Sequence, residues 1–166
     1  MSTDMLVKLY ELAPNPELDQ RIASHGIMVR RALPPELVTI NTWIEPRFGT
    51  GWVSETTVAM ARQPPSCFIA VKGKTLVGFA CYDATARGFF GPTGVDESMR
   101  GKGAGHALLL ACLLDMRHQG YGYGVIGGAG PVDFYAKAVG AVPIPGSVPG
   151  IYAGMLDLAG SRADEA

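Results

Sequence analysis

A glycine-rich stretch near the middle of the chain has the residue types that bind phosphate through backbone N–H groups. Glycine has no Cβ, so a phosphate can approach the backbone, and a following helix contributes the positive end of its dipole. An amphipathic helix is predicted directly after this stretch, and Arg100 and Lys102 add local positive charge. We therefore predict a pyrophosphate site formed by Arg100, Gly101, Lys102, Gly103, Ala104 and Gly105.

Two common nucleotide-binding motifs do not fit this stretch. A P-loop would need Gly at position 96 and Ser or Thr at position 103, where the chain has Asp96 and Gly103. A dinucleotide fingerprint would need a third glycine at position 106, which is His106. That fingerprint does occur formally at residues 122–127, but within a predicted strand, so we interpret it as coincidence.

The spacing that remains is Arg-x-x-Gly-x-Gly, supplied by Arg100, Gly103 and Gly105. A second motif, DFYAKAVGA, follows at residues 133–141. In this order the two motifs resemble the coenzyme-A-binding sequence and the second signature of the GCN5-related N-acetyltransferase (GNAT) superfamily. The order of predicted elements over residues 27–158 is also similar to that family.

The resemblance implies an acyl-CoA N-acyltransferase fold of the α/β class, with a twisted, mostly antiparallel central sheet flanked by helices. The family's fourth and fifth strands, residues 89–95 and 123–128 here, splay apart around the pantetheine arm of acetyl-CoA. Val95 would then offer a backbone donor to the thioester carbonyl, and the N–H groups of residues 100–105 would hold the pyrophosphate. Tyr135 would protonate the departing thiolate, with acetyl-CoA as co-substrate and no metal ion.

The base that removes a proton from the acceptor is not identified by the sequence. Relatives often place a carboxylate on the fourth strand, and this chain has none between positions 89 and 95. Relatives also often have asparagine where this chain has Gly128. The open candidates for the base are Glu45, Glu55, Asp83 and Asp133.

Three further side chains lie close to these motifs. Trp43 and Trp52 flank a predicted loop, residues 45–51, that covers the acceptor in this family. Both can line an acceptor pocket, and core packing is equally open for Trp43. His106 follows the glycine stretch, where a minor phosphate contact and an ordinary surface position are both open.

Hydrophobic periodicity predicts the elements that must position these residues. The irregular pair Gly91-Pro92 predicts a bulge in the strand that contains it. Predicted strands cover residues 6–12, 27–32, 67–71, 75–82, 89–95 and 123–128, and residue 144 with residues 151–158 forms a last strand pair. One predicted helix begins at Pro16 and ends before Gly26, and a second begins at Pro34 and ends at Pro46. Three more helices are predicted at residues 53–62, 103–119 and 132–139.

The composition predicts one compact domain, because 48% of the 166 residues are hydrophobic and only 17% are charged. We expect an N-terminal extension at residues 1–26 packed on the domain, the acetyltransferase domain at 27–158, and a disordered tail at 159–166. The cysteines lie in apolar segments without metal-ligand spacing, so reduced core thiols are predicted at Cys67, Cys81 and Cys112.

The charge balance gives no reason to expect nucleic acid or membrane partners. The net charge is −1, with 14 basic and 15 acidic residues. The N-terminus lacks the pattern of a signal peptide, so a cytoplasmic protein is expected. Because dimerisation is common among relatives, the resemblance also allows a homodimer.

The leading functional prediction is transfer of an acetyl group to a primary amine of a small molecule or peptide. A small molecule is favoured, because the near-neutral charge indicates no acidic groove for a basic peptide. The alternative is a non-catalytic acyl-CoA-binding or regulatory module of the same fold, which the missing carboxylate keeps open. A nucleotide-binding protein of unrelated fold would instead be stabilised by ATP or NAD.

Overall fold

The computed structural model describes residues 2–160, which form seven strands and five helices. The tail predicted at residues 159–166 begins with a turn at 159–160, and residues 161–166 lie outside the described residues. The strands are β1 (Thr3–Lys8), β2 (Ile27–Arg31), β3 (Cys67–Lys72), β4 (Thr75–Tyr82), β5 (Phe89–Val95), β6 (Tyr123–Ala129) and β7 (Val142–Pro143). The helices are α1 (Pro16–Ser24), α2 (Leu37–Phe48), α3 (Thr50–Met60), α4 (Ala104–His118) and α5 (Val132–Val139).

All seven strands join one sheet in the order β2-β3-β4-β5-β6-β1-β7. Neighbouring strands are antiparallel, except for β5 and β6, which run parallel. The predicted α/β class with a mostly antiparallel sheet is therefore confirmed.

β5 and β6 separate after a short paired stretch. Within the described chain they pair only through Phe89 and Phe90 of β5, and residues 91–95 have no partner on that edge. The β4–β5 register shifts at the same level. Gly91 has a φ of 123°, which favours glycine, and Pro92 has no N–H for a ladder. The predicted irregularity is thus confirmed, and it opens a gap in the sheet.

Side chains of the sheet alternate between two apolar clusters on opposite faces. In β4, Ala80 and Tyr82 belong to the cluster with α1 and α4, whereas Phe79 and Cys81 belong to the cluster with α2 and α3. This alternation is the period-two geometry of a strand. The three cysteines are free and buried, as predicted.

Local sequence explains where α1 and α4 form. The Asn15 side chain caps α1 by accepting a hydrogen bond from the Leu18 N–H at 3.1 Å, and Pro16 is the first helical residue. The apolar stripe predicted along α4 is buried and fixes this helix against the sheet; its members are Leu108, Leu109, Cys112, Leu113 and Met116.

The boundary between α2 and α3 differs from the prediction. Pro46 is predicted to end the helix, but α2 continues to Phe48, and Gly49 alone separates it from α3. Pro46 removes one backbone donor, while Ile44 and Phe48 on either side remain packed in the apolar cluster. The predicted loop at residues 45–51 is therefore mostly helical.

The prediction of a last strand pair at residue 144 and residues 151–158 is wrong. Between residues 144 and 160 the chain forms a single 3-10 turn, Gly150–Tyr152, and no strand. Pro145 lacks the backbone donor that a ladder needs, and Gly146 and Gly150 have φ values of 73° and 60°. These residues force turns where a strand would need extended backbone.

The first strand lies earlier than predicted, at Thr3–Lys8 instead of residues 6–12, because Leu9–Glu11 forms a 3-10 turn. β1 lies between β6 and β7 and pairs with both. Met5 and Val7 point into the core and are fully buried. The segment predicted as an N-terminal extension therefore contributes an interior strand of the sheet.

Candidate active site

A cleft of about 1190 Å³ passes through the gap between β5 and β6. On one side of the gap it is lined by residues near the start of α4 and in α5, including Arg100, Gly105 and Tyr135, and we call this the turn half. On the other side it is lined by residues that include Phe48, Trp52, Glu55 and Tyr152, and we call this the aromatic half. Of the predicted site residues, Val95, Arg100, Gly105 and Tyr135 line the cleft; Gly101, Lys102, Gly103 and Ala104 do not.

The turn before α4 leaves backbone donors free. The first backbone hydrogen bond of α4 runs from the Ala107 N–H to the Gly103 carbonyl at 2.9 Å. Among residues 2–160, no acceptor bonds the N–H groups of residues 101–106. Because the first N–H groups of a helix carry its positive dipole end, this turn can bind an anion.

Helix α1 holds the same turn in place. Gly103 has a φ of 92°, and a Cβ there would lie 3.1 Å from Cδ1 of Leu18. Arg21 donates a hydrogen bond to the Gly101 carbonyl at 2.7 Å. The ammonium of Lys102 donates to the Ser98 carbonyl at 3.0 Å, so it also contacts the turn's own backbone. Sequence reasoning missed Arg21, because it lies 80 residues away from its partner.

A second cavity of about 620 Å³ shares Phe48, Val95 and Arg100 with the cleft. At its edge Asp96 accepts hydrogen bonds from the Ser98 N–H at 3.1 Å and hydroxyl at 2.7 Å. Asp96 also forms an ion pair with Arg47 at 3.2 Å. The hydrogen bonds from Ser98, with a smaller effect of Arg47, lower the pKa of Asp96. These contacts fix the chain between β5 and the glycine turn.

Tyr135 is held in the turn half by aromatic neighbours. Its ring lies edge-on to Phe90 at 6.5 Å and to Phe134 at 5.2 Å between centroids. The side chain is only 6% exposed, and burial raises the pKa of Tyr135. Within the described residues its hydroxyl has no hydrogen-bond partner. A neutral hydroxyl is therefore available to donate a proton to a group in the cleft.

The open edge of β5 forms one wall of the cleft. Residues 91–95 all line it, and Val95 pairs with Gly78 of β4 on its other edge. A Cβ at Gly94 would lie 2.5 Å from Cζ of Phe48, so glycine at this position lets the Phe48 ring lie against the strand. An extended ligand could therefore pass along backbone groups of β5.

The aromatic half has a stacked pair of rings. Phe48 and Trp52 lie 4.8 Å apart between centroids with their planes inclined by 27°. Trp43 does not line the cleft; it packs on Phe48 and on Phe79 at 5.9 and 6.2 Å. Of the two tryptophans considered from the sequence, Trp52 therefore lies at the site, and Trp43 packs against the apolar core from a partly buried position.

Of the four carboxylates considered as the base, Glu55 lines the cleft. Asp83 is buried and accepts a hydrogen bond from the Tyr121 hydroxyl at 2.9 Å. Glu45 and Asp133 are exposed and do not line the cleft. The geometry thus narrows the four sequence candidates to Glu55.

Two polar side chains that the sequence analysis did not identify adjoin Glu55. The Thr85 hydroxyl donates a hydrogen bond to the Glu55 carboxylate. Burial and, next, the charge of Glu55 raise the pKa of Tyr152. A Cβ at Gly127 of β6 would lie 3.0 Å from the Tyr152 hydroxyl, so Tyr152 reaches the edge of the gap. No motif links these residues, because they come from three separate parts of the chain.

Residues 144–159, the C-terminal segment, cover the aromatic half. Ile144 donates a backbone hydrogen bond to the Asp4 carbonyl at 2.8 Å, and the Thr50 hydroxyl donates to the Ala159 carbonyl at 2.8 Å. Both ends of the segment are thereby attached to the domain. Between them, Ile151, Tyr152, Met155 and Leu158 line the cleft.

Two other positions weighed from the sequence have defined surroundings. His106 does not line the cleft; its ring lies 6.3 Å from that of Phe134, and burial lowers the pKa of His106. Gly128 does line the cleft, and its N–H donates to the Asp4 carboxylate at 2.8 Å. In the described part of the chain no group of His, Cys, Asp and Glu is arranged to hold a metal ion. No helix there is long and apolar enough to cross a membrane.

Comparison with known families gives one family model, the acetyltransferase (GNAT) family, which matches residues 36–140. The match covers more than half of the chain. A comparison with curated proteins gives no match.

Among solved structures, a GCN5-related glucosamine N-acetyltransferase region of a fungal multi-domain GH3 β-N-acetylglucosaminidase matches 86% of this chain and 20% of its own, with a TM-score of 0.71 and 12% identity. A GCN5-related N-acetyltransferase from Sphaerobacter thermophilus matches 86% of this chain and 48% of its own, with a TM-score of 0.67 and 24% identity. A third structure, a GCN5-related N-acetyltransferase from Kribbella flavida, matches 86% of this chain and 54% of its own, with a TM-score of 0.54 and 15% identity. This chain thus spans between a fifth and about half of these structures. The likeness supports the fold.

Proposed function

The chain belongs to the GNAT family of acetyltransferases, and from this premise we propose that it transfers an acetyl group from acetyl-CoA to the primary amine of a small molecule. One observation carries the proposal: the stretch with free N–H groups at the start of α4 borders the cleft through Arg100 and Gly105, and the buried Tyr135 lines the same cleft. The first can bind a pyrophosphate, and the second can protonate a leaving group.

The turn half suits the co-substrate. The N–H groups of residues 101–106 would bind the pyrophosphate, with Arg100 adding positive charge beside them. The open edge of β5 would accept the pantetheine arm as an additional strand, as far as Val95. A backbone donor there can stabilise the negative charge that develops on the thioester oxygen.

Transfer requires one bond to form and one to break. The acceptor nitrogen attacks the thioester carbon, the C–N bond forms, and the C–S bond breaks with its electron pair on sulfur. Tyr135 gives its proton to the thiolate, whose parent thiol has a pKa of about 8.5. The nitrogen releases a proton as it bonds to carbon, and return of that proton through water restores the Tyr135 hydroxyl.

We propose that Glu55 receives the proton from the nitrogen before water carries it to Tyr135, because Glu55 lines the cleft and accepts a hydrogen bond from Thr85. An alkyl amine with a pKa of about 10.4 must first lose another proton to solvent, which costs about 4 to 5 kcal/mol at pH 7. A small acceptor is favoured, because the net charge of −1 supplies no acidic groove for a basic peptide.

A panel of ligands tests the proposal. Acetyl-CoA and CoA should raise the melting temperature, and ATP and NAD should not. Thiol release should then depend on both acetyl-CoA and an added amine, with glucosamine, aliphatic amines and aryl amines in the panel. Stabilisation by acetyl-CoA without thiol release from any amine would identify the non-catalytic binding module. Stabilisation by ATP or NAD alone would contradict the assignment of the turn.

A further inference from the structure

The aromatic half of the cleft has an unusual composition for a site that takes an amine. Its lining is dominated by apolar groups that come from α2, α3, the chain after β4 and the C-terminal segment. Among the described residues that line the cleft, Glu55 is the only acid and Arg100, at the turn, the only base. The lining therefore combines one negative charge with an apolar surface.

We propose that the aromatic half binds a primary amine with an apolar, preferably aromatic, body, and that Glu55 binds its ammonium group. The inference rests on the proposed acetyl transfer, and it names the acceptor class for that reaction. Phenethylamine is the simplest molecule that has both parts.

The charge of Glu55 supports a cationic ligand. Within residues 2–160, no Lys, Arg or His side chain lies within ion-pair distance of Glu55. Its hydrogen-bond partner is the neutral Thr85 hydroxyl. Because an alkyl amine is almost wholly protonated at neutral pH, an ammonium is the natural counter-ion for this carboxylate.

The apolar body has a surface to match. The stacked Phe48 and Trp52 rings form one wall, and Ile151 and Met155 of the C-terminal segment, both more than half exposed, form another. A bound aryl or alkyl group would cover these side chains and remove their apolar area from water. An aromatic group would also meet aromatic partners.

The same lining disfavours strongly polar acceptors. A polyamine would bring a second ammonium, and the described lining offers one carboxylate for two charges. An amino sugar would place several hydroxyl groups against apolar side chains, where each loses hydrogen bonds to water. Binding would therefore be weaker for both classes.

Calorimetry on the protein saturated with CoA tests recognition without any reaction. Phenethylamine and phenethyl alcohol differ only in the charged group, so we expect the amine to bind at least about tenfold more tightly. Glu55→Gln should bring the two affinities to within about twofold of each other. Glu45→Gln makes the same change at an exposed carboxylate outside the cleft and should leave the tenfold ratio intact.

A second variant examines the body of the ligand. Trp52→Leu should weaken the binding of phenethylamine by about fivefold or more and leave the binding of methylamine unaffected. CoA affinity in the same sample shows that the variant is folded. Equal binding of phenethylamine and phenethyl alcohol to the unaltered protein would overturn the inference, as would tighter binding of spermidine or glucosamine.

Thiol release with acetyl-CoA separates this inference from the proposed function. If spermidine or glucosamine is acetylated and phenethylamine is neither bound nor acetylated, acetyl transfer stands and the inference fails. If phenethylamine binds through Glu55 and no amine in the panel releases thiol, the amine-binding site stands, whereas acetyl transfer and the role of this amine as its acceptor fail.

Discussion

The two halves of the cleft are built in different ways. The turn half offers the free backbone N–H groups of one short stretch, residues 101–106, which borders the cleft through Gly105, with β5 beside it. The aromatic half uses side chains from α2, α3, the chain after β4 and the C-terminal segment. A backbone site needs a particular local conformation, which a short glycine motif specifies. A side-chain site depends on tertiary packing, which no local motif specifies.

The largest expected effect is at Tyr135, which we propose protonates the departing thiolate. Tyr135→Phe should lower kcat by about 10²- to 10⁴-fold, because a positioned acid contributes that much. The Kd of acetyl-CoA should stay within about twofold, since no backbone donor is lost. Steady-state thiol release and calorimetry measure the two quantities.

Tyr10→Phe is the matched control for that change, because Tyr10 is 55% exposed and does not line the cleft. It should leave both quantities unaltered. An unchanged kcat in Tyr135→Phe would show that another group protonates the thiolate.

The second-largest effect is expected in the turn half, at Gly103. Gly103→Ala places a side chain at a φ of 92° and against Leu18, so it should destabilise the fold by about 1 to 3 kcal/mol. The Kd of acetyl-CoA should rise by about tenfold as the turn amides shift. Denaturant unfolding and calorimetry are the measurements.

Gly101→Ala separates backbone strain from contact. Gly101 has a φ of 78°, and its Cβ would meet no atom within 4 Å. It should therefore show a smaller loss of stability than Gly103→Ala. An unchanged Kd in both variants would contradict a turn that binds pyrophosphate.

A smaller effect is expected on the aromatic half. Thr85→Val removes the hydroxyl that donates to Glu55 and keeps the side-chain shape. Loss of one such hydrogen bond, about 1 kcal/mol, should change the KM of the amine by about fivefold and leave acetyl-CoA affinity unaltered. Thr42→Val, at an exposed position of α2, is the control. A parallel change in acetyl-CoA affinity would show that the halves are not independent.

The smallest effect concerns stability at alkaline pH. Burial raises the pKa of Tyr135 and of Tyr152 above 10.0 in the folded protein, whereas unfolded tyrosine ionises near 10. At pH values between the unfolded and the folded pKa, the unfolded chain binds fewer protons than the folded protein. The free energy of unfolding should therefore fall as the pH rises past 10. Urea unfolding at pH 8 and at pH 10.5 measures this fall. In Tyr135→Phe the fall should be smaller, and an equal fall would show that Tyr135 does not contribute.

The elements around the turn could be predicted from sequence because their signals are local. The stripe of α4, the bulge at Gly91-Pro92 and the hairpin of β3 and β4 each follow from spacing within a few residues, and all are present. The prediction failed where distant contacts decide the conformation. Pro46 stays helical because Ile44 and Phe48 are packed on either side.

The candidate site divides in the same way. Arg100, Gly105 and Tyr135 belong to the two motifs, Val95 ends the strand before the first motif, and all four line one cleft. Glu55 was one of four carboxylates with nothing in the sequence to separate them. Its proximity to Thr85 and the cleft depends on how α3 packs against the chain after β4, a contact between residues 30 positions apart.

The interior position of β1 has a consequence for how the protein is made. During synthesis, residues 3–8 emerge from the ribosome well before Tyr123–Ala129, the strand with which they pair. At elongation rates of about 5 to 20 residues per second the delay is on the order of 10 s. Until then Met5 and Val7 remain without the strand that buries them, so the nascent chain carries an apolar segment that chaperones can bind.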